Sequence, residues 1–239
     1  MSQVSNYLEQ LKEKGVEISF NHVGKGDRTI FTFAGVGMDE RYFTKYFTTE
    51  ENKHQFFHFY IKVHNHKFKK EIPELWCLLA ESLIDEYQVK EFDIIAYSIG
   101  CRLSYPLLNQ PKLDNITLIC PDGIFKHPVY SFATQTMIGG ILFYPIFSTI
   151  RFLFSALARY IKLSPHELFK LWKLYSVFKF PKHVNLKLHI YLASKDYICP
   201  ASYVVKTLRK SGNHDYEIIV ANHFSILSII KKNILLRLK

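Results

Sequence analysis

Apolar and polar residues alternate along the first part of the chain in short runs, a pattern typical of strands that bury one face. Val16 to Val23 predicts one strand in this way, and Thr29 to Ala34 predicts a second, more fully buried one. The turn at 24–27, Gly-Lys-Gly-Asp, favours pairing of these two strands as a hairpin. Further apolar runs predict five more strands: Gln55 to Val63, Phe92 to Tyr97, Ile116 to Cys120, Leu186 to Ala193 and Tyr216 to Val220.

Between these strands, apolar residues recur at the three- and four-residue spacing of helices. The clearest case is Ile72 to Tyr87, which has Pro73 in its first turn, where proline is well tolerated. Four more helices are predicted: Asp39 to Phe47 with Asp39 as its N-cap, Ser98 to Leu108, Ala201 to Lys210 and Phe224 to Leu238. Strands that alternate with helices predict an α/β fold with a mostly parallel sheet, covered by helices on both faces.

The segment from about Ile124 to Asn185 interrupts this alternation. It is aromatic, apolar and predicted to be helical, and it lies between two strands of the sheet. Residues 128–150 carry no charge and are long enough to span a membrane, which takes about 20 apolar residues. Polar residues, two glycines and Pro145 interrupt this run, and Arg151 and Arg159 follow it, which favours a soluble helical lid instead. We therefore expect one domain, 1–239, with a lid insertion at about 124–185; a membrane-embedded or membrane-surface segment is the alternative.

The strongest chemical signal is Ala-Tyr-Ser-Ile-Gly at 96–100, between a predicted strand and a predicted helix. This is the setting of the G-x-S-x-G turn, which holds a serine hydroxyl above the edge of a sheet. Ala96 replaces the first glycine but is still small, so the turn is expected to form. The helix start then offers backbone N–H groups to a developing oxyanion. The alternative is that Ser98 only caps the helix.

Three other loops follow predicted strands and can meet Ser98. A Gly-rich turn runs from Phe33 to Met38, Asp196 follows the strand that ends at Ala193, and His223 follows the last strand. Loops after parallel strands gather at one edge of the sheet. A histidine there can take the serine proton, and a carboxylate can fix the imidazole tautomer. Taken alone, each of these loops could equally be a connection between a strand and a helix with no catalytic role.

With these residues in that order, the chain resembles members of the α/β-hydrolase superfamily over about 16–238, and the resemblance implies the α/β-hydrolase fold with a lid. It implies Ser98 as nucleophile, His223 as base and Asp196 as acid. The backbone N–H groups of Val36 and Ile99 would form the oxyanion hole. Ala34 stands where many members carry histidine, which matters little because the oxyanion contacts come from the backbone. Some members place the acid after an earlier strand, which makes Asp122 a rival to Asp196.

The resemblance implies a serine hydrolase that cleaves a carboxylic ester or thioester through an acyl-enzyme. An acyltransferase that uses the same triad is one alternative. The other is a catalytically silent binding or membrane-associated protein that keeps the fold. Serine, histidine and aspartate suffice for the chemistry, so no metal and no organic cofactor is predicted.

Composition and charge narrow the expected partners. The chain has 31 Lys and Arg against 21 Asp and Glu, a net charge of +10, which favours anionic partners. No nucleic-acid-binding module accompanies the charge, so we expect an anionic small-molecule or carrier-linked acyl substrate, with membrane contact through the lid as an alternative. Four cysteines without a CxxC pair, and an amino terminus without an apolar run, favour the cytoplasm. The sequence does not indicate an oligomeric state.

Overall fold

Seven strands form one sheet among the residues that the structure describes. It is a computed structural model that describes residues 2–35, 38, 41–47, 53–64, 70–124, 170, 173–181, 184, 186–196, 199–211 and 215–237. The strands are β1 (Val16–Val23), β2 (Arg28–Phe33), β3 (His54–Val63), β4 (Phe92–Tyr97), β5 (Leu113–Ile119), β6 (Leu188–Lys195) and β7 (Asp215–Asn222). Their order across the sheet is β1-β3-β2-β4-β5-β6-β7. Only β1 runs antiparallel to its neighbour, so the predicted mostly parallel sheet is confirmed.

The predicted hairpin between the first two strands is wrong. β1 pairs with β3, with Val16 opposite Val63, and β2 lies on the other side of β3 and parallel to it. The reason is burial, since the middle of β3, residues 56–59, is buried and suits a strand with a neighbour on each side, whereas most of β1 is only partly buried and suits the edge of the sheet. The turn between β1 and β2 instead packs on the start of β3. A Cβ added to Gly26 would lie 1.9 Å from the carbonyl oxygen of Lys53.

Helices cover the sheet on both sides. Those whose bounds the structure describes are α1 (Gln3–Glu13), α2 (Arg41–Phe47), α3 (Ile72–Glu86), α4 (Cys101–Ser104), α5 (Ala201–Ser211) and α6 (Ile226–Arg237). The predictions for α3, α5 and α6 are confirmed to within two residues at each end. Asp39, the predicted N-cap of α2, lies outside the described residues. Sequence reasoning missed α1, although Val4, Leu8 and Leu11 have helical spacing and the side chain of Ser2 caps its first turn.

The core has two parts, one on each face of the sheet. On one face, Trp76 and Leu83 of α3 pack with the β2 residue Phe31. On the other face, Phe47 of α2 and Ile230 of α6 belong to the second cluster. Adjacent residues of one strand, such as Ile30 and Phe31, enter opposite clusters, as the two-residue period of a strand requires.

The predicted helix over Ser98 to Leu108 is broken into three short pieces. A 3-10 turn at Ser98–Gly100 leads into α4, and a second 3-10 turn covers Tyr105–Leu107. Pro106 explains the second break, because proline has no backbone N–H to donate and crowds the preceding turn. The result is a compact helical stretch directly after the candidate nucleophile.

Most of the predicted lid, 125–169, lies outside the described residues, and so does the uncharged run at 128–150. Within the described part of that segment, Leu174 and Phe178 are fully buried in the core cluster that contains Trp76. No helix among the described residues combines the length and apolar character needed to cross a membrane.

A buried histidine makes the stability of the fold depend on pH. His58 of β3 is 2% exposed, and its Nδ1 lies 2.7 Å from Oγ1 of Thr32. Its Nε2 has no hydrogen-bond partner within the described part of the chain. Burial therefore lowers the pKa of His58 to about 4. In the unfolded chain a histidine has a pKa of about 6.5, so between these two pH values the unfolded state binds the proton and the folded state does not.

We therefore expect the free energy of unfolding to fall by about 3 kcal/mol through His58 as the pH drops from 6.5 to 4. Urea unfolding at several pH values, for the wild type and for His58→Asn, measures this. Asparagine can keep the hydrogen bond to Thr32 but does not titrate, so the variant should lose less stability over the same range. Equal losses in both proteins would contradict the expectation.

Candidate active site

Ser98 stands at the carboxyl end of β4, in the turn that leads into the first 3-10 helix. Its φ is +56°, in the left-handed region that non-glycine residues rarely adopt. Holding a serine there costs about 1–2 kcal/mol, so the surrounding fold must enforce the conformation. The sharp turn predicted from the sequence is therefore present, and Ser98 is buried to 8% exposure.

Gly100 allows the helical stretch after Ser98 to pass close to the end of β2. A Cβ added to Gly100 would lie 2.3 Å from the carbonyl oxygen of Ala34 and 2.5 Å from that of Phe33. Both are backbone atoms, which cannot move aside as the end of a side chain can. The last glycine of the motif is therefore required by the distance between helix and strand.

Gly100→Ala is expected to push this helical stretch away from β2. Overpacking of this kind costs about 1–3 kcal/mol of folding stability. A displacement of about 1 Å at the site should lower kcat/KM about a hundredfold. Urea unfolding and ester hydrolysis measure the two effects.

Ser104→Ala is the matched control, because it lies in the same helical stretch and removes an atom instead of adding one. It should retain activity. A Gly100→Ala protein as stable and as active as the wild type would show that the close approach is not required.

His223 lies in the loop between β7 and α6, and its neighbours fix its position. The side-chain oxygen of Asn222 accepts hydrogen bonds from the backbone N–H groups of Phe224 and Ser225, each at 3.0 Å. The buried hydroxyl of Tyr97 donates to the carbonyl oxygen of His223. With the ring so placed, Nε2 of His223 lies 2.9 Å from Oγ of Ser98.

Asp196 follows β6 directly and completes the chain of hydrogen bonds. Its Oδ2 lies 2.7 Å from Nδ1 of His223, and its Oδ1 accepts a 2.8 Å hydrogen bond from the backbone N–H of Cys199. Both side chains are buried, with 4% of Asp196 and 5% of His223 exposed. The structure thus brings Ser98, His223 and Asp196 together in the order that the sequence suggested.

The chain is similar to solved structures over nearly its whole length. A hydrolase from Oleispira antarctica is 14% identical with a TM-score of 0.63, and the match covers 100% of this chain and 97% of that one. A thermophilic esterase from Thermogutta terrifontis is 12% identical with a TM-score of 0.65, over 93% of each chain. An α/β hydrolase enzyme from a Medee basin deep-sea metagenome is 12% identical with a TM-score of 0.65, over 92% of each. The chain has the α/β-hydrolase fold. No protein-family model and no curated protein matches its sequence.

Asp122 has a different set of contacts in this α/β-hydrolase fold. Its Oδ2 accepts a 2.7 Å hydrogen bond from Nε of Arg102, with which it forms an ion pair. Its backbone N–H donates to the carbonyl oxygen of Ser98 at 3.2 Å, and its carbonyl oxygen accepts from the hydroxyl of Tyr105. These contacts tie the loop after β5 to the nucleophile turn, while the contact to His223 is made by Asp196.

The structure describes one of the two residues of the predicted oxyanion hole. Ile99, the residue after Ser98, is the second residue of its 3-10 turn, where backbone N–H groups lack partners within the helix. Val36 lies outside the described residues. Its neighbour Gly35 stands beside the site, since an added Cβ would lie 3.3 Å from Cβ of Ser98. The Gly-rich turn after β2 of the α/β-hydrolase fold therefore reaches the nucleophile.

Sequence reasoning missed three thiols that lie near the site. Cys101, Cys120 and Cys199 are all free and buried. Burial raises the pKa of each thiol well above its ordinary value, and the Asp196 carboxylate raises that of Cys120 further. The hydrogen bond from the backbone N–H of Cys199 to Asp196 could have been predicted from the sequence, because an aspartate side chain often accepts from the backbone N–H three residues further along. No local signal links Cys120 or Tyr97 to residues so distant along the chain.

Proposed function

We propose that this protein is a serine hydrolase that cleaves carboxylic esters or thioesters through an acyl-enzyme. The proposal rests on one observation, the hydrogen-bonded chain from Ser98 through His223 to Asp196 at the carboxyl edge of the sheet. Nucleophile, base and orienting carboxylate stand in the order that this chemistry needs. The solved structures similar to this chain, among them the esterase from Thermogutta terrifontis, support a hydrolase.

In the first half of the reaction, Oγ of Ser98 attacks the carbonyl carbon of the substrate and its proton passes to Nε2 of His223. Asp196 accepts the hydrogen bond from Nδ1–H, which keeps Nε2 free to take that proton and stabilises the imidazolium that forms. The tetrahedral intermediate collapses to the acyl-enzyme. His223 returns its proton to the leaving alcohol or thiol.

In the second half, water attacks the acyl carbon while His223 takes a proton from it. The second tetrahedral intermediate releases the carboxylic acid, and the proton on His223 restores the hydroxyl of Ser98. In both halves the negative charge on the carbonyl oxygen is stabilised by the backbone N–H of Ile99, with that of Val36 as the second donor. Preorganised donors of this kind are worth about 3–4 kcal/mol each in the transition state.

The proposed substrate has an apolar acyl group. This part rests on the sequence of the 124–185 segment, whose phenylalanine, leucine, isoleucine and tyrosine side chains suit an apolar ligand. The net charge of +10 favours an anionic leaving group, such as an acidic carrier or an anionic headgroup.

Two assays on the purified protein test the proposal. A fluorophosphonate probe should label the protein, with peptide mapping placing the label on Ser98. A series of nitrophenyl esters of increasing acyl length should be hydrolysed, with a rate that rises with chain length. A rate independent of acyl length would contradict the proposed apolar acyl group but not the proposed hydrolase activity.

Two further outcomes separate the alternatives. If added alcohols or amines receive the acyl group in place of water, the protein is an acyltransferase on the same triad. If the folded protein takes no label at Ser98 and hydrolyses no ester, the proposed function is wrong and a binding role in this fold remains.

A further inference from the structure

A thiol lies beside the Asp196–His223 pair and has no part in the proposed reaction. Sγ of Cys120, a carboxylate oxygen of Asp196 and an imidazole nitrogen of His223 all lie within 4.8 Å of one another. Cys120 is fully buried at the end of β5, with a φ of +46°. Within the described ranges, this is the one cluster of three side chains suited to hold a metal ion.

We propose that Cys120, Asp196 and His223 form a binding site for a thiophilic divalent cation of the zinc type, and that the bound ion switches the enzyme off. The metal site does not depend on the proposed function. The inhibition does, because it rests on the proposed function as a serine hydrolase. The ion is an inhibitor in this scheme and takes no part in catalysis.

The donor set selects the class of cation. Sulfur, imidazole nitrogen and a carboxylate oxygen are the three protein ligands that Zn²⁺ takes, with a water in the fourth position where only three are present. Magnesium and calcium prefer sites made of oxygen alone. We therefore expect Zn²⁺ and its spectroscopic substitute Co²⁺ to bind, and Mg²⁺ not to compete.

Charge balance favours the ion in so buried a place. A thiolate and a carboxylate carry two negative charges, which a divalent cation cancels, while the imidazole stays neutral. A buried site of zero net charge avoids the cost of an uncompensated charge away from water. Binding displaces the thiol proton of Cys120 to solvent, because a metal-bound thiol is held as the thiolate.

The imidazole explains how binding would stop the reaction. Nδ1 of His223 lies 2.7 Å from Oδ2 of Asp196 and Nε2 lies 2.9 Å from Oγ of Ser98, so Nδ1 is the nitrogen that an ion bound to Asp196 would take. When the ion takes Nδ1, the proton of the neutral ring moves to Nε2. Nε2 then donates to Ser98 and can no longer accept its proton. The nucleophile loses its base, and bonds to the ion replace the hydrogen bond between Nδ1 of His223 and Asp196.

Cobalt absorption tests the site without reference to activity. Adding Co²⁺ to the full-length protein should produce a sulfur-to-cobalt charge-transfer band, and Zn²⁺ should abolish it. Cys120→Ser, which keeps the size of the side chain and removes the sulfur, should lose the band. Cys199→Ala is the matched control, because it removes another buried thiol near Asp196, and it should keep the band. Thermal unfolding checks that each variant is folded.

The inhibition is tested by ester hydrolysis with increasing Zn²⁺, with and without a chelator. Wild-type activity should fall with zinc and return with the chelator. Cys120→Ser should be active without zinc. The zinc concentration that halves its activity should be at least about tenfold higher than for the wild type. Replacing a residue that only hydrogen-bonds to a metal ligand already lowers metal affinity by about that factor, and Cys120 would be a ligand itself.

The outcomes separate this site from the proposed function. A folded wild type without the cobalt band, a band that survives in Cys120→Ser, or a band lost in Cys199→Ala would overturn the site. Equal zinc inhibition of wild type and Cys120→Ser would overturn the inhibitory role. If no ester is hydrolysed at all, the proposed function fails and the cobalt band still decides the site.

Discussion

Ser98→Ala is expected to lower kcat for nitrophenyl ester hydrolysis about a million-fold, the typical effect of removing a triad serine. Oγ of Ser98 is the atom 2.9 Å from Nε2 of His223, and alanine leaves nothing there to attack the carbonyl carbon. Binding and the backbone donors remain, so some acceleration over water should persist. Fluorophosphonate labelling should vanish together with the activity.

Two comparisons make this result specific. Ser82→Ala removes another buried serine hydroxyl, on α3, and should hydrolyse esters at the wild-type rate. Urea unfolding should show Ser98→Ala nearly as stable as the wild type, because alanine and serine pay similar costs at a φ of +56°. A folded Ser98→Ala protein that still hydrolyses esters would show that the observed activity has another nucleophile.

Asp196→Asn is expected to lower kcat about ten-thousandfold, as replacing a triad carboxylate by its amide does. The amide nitrogen can donate to Nδ1 of His223, and this stabilises the tautomer with the proton on Nε2. The ring then offers a donor to Ser98 where the reaction needs an acceptor. The charge that stabilises the imidazolium is lost as well. Steady-state kinetics over a range of pH measure the effect.

Asp122→Asn is the matched control and also decides between the two candidate acids. Its carboxylate is paired with Arg102, and its contacts to Ser98 and Tyr105 run through the backbone, which the substitution keeps. We expect Asp122→Asn to lose some stability and to keep kcat close to that of the wild type. The reverse pattern, with Asp196→Asn active and Asp122→Asn inactive, would assign the acid to Asp122.

Most of the fold could be predicted from the sequence, because its patterns are local. Alternation of apolar and polar residues indicated the first strand, more continuous apolar runs indicated the other six, and helical spacing indicated α3, α5 and α6. The small residues around Ser98 indicated the turn. Since loops after parallel strands meet at one edge, the position of Asp196 and His223 after strands already suggested that they would reach Ser98.

The tertiary structure decided how the elements pair. The turn between β1 and β2 suits a hairpin, yet β3 lies between them, because the more buried β3 suits a position with a neighbour on each side and the partly exposed β1 suits the edge. Pairing of this kind depends on the whole sheet, and a local pattern does not contain it.

The same holds for the finer geometry of the site. Asp122 and Asp196 both follow strands, and only the fold shows that one pairs with Arg102 and the other with His223. The contacts of Tyr97 and Cys120 also join residues that are distant along the chain. The sequence by itself indicated the residues that are proposed to carry the chemistry and the edge of the sheet that they share. The tertiary structure determined their partners, because hydrogen bonds and ion pairs depend on distances that folding alone establishes.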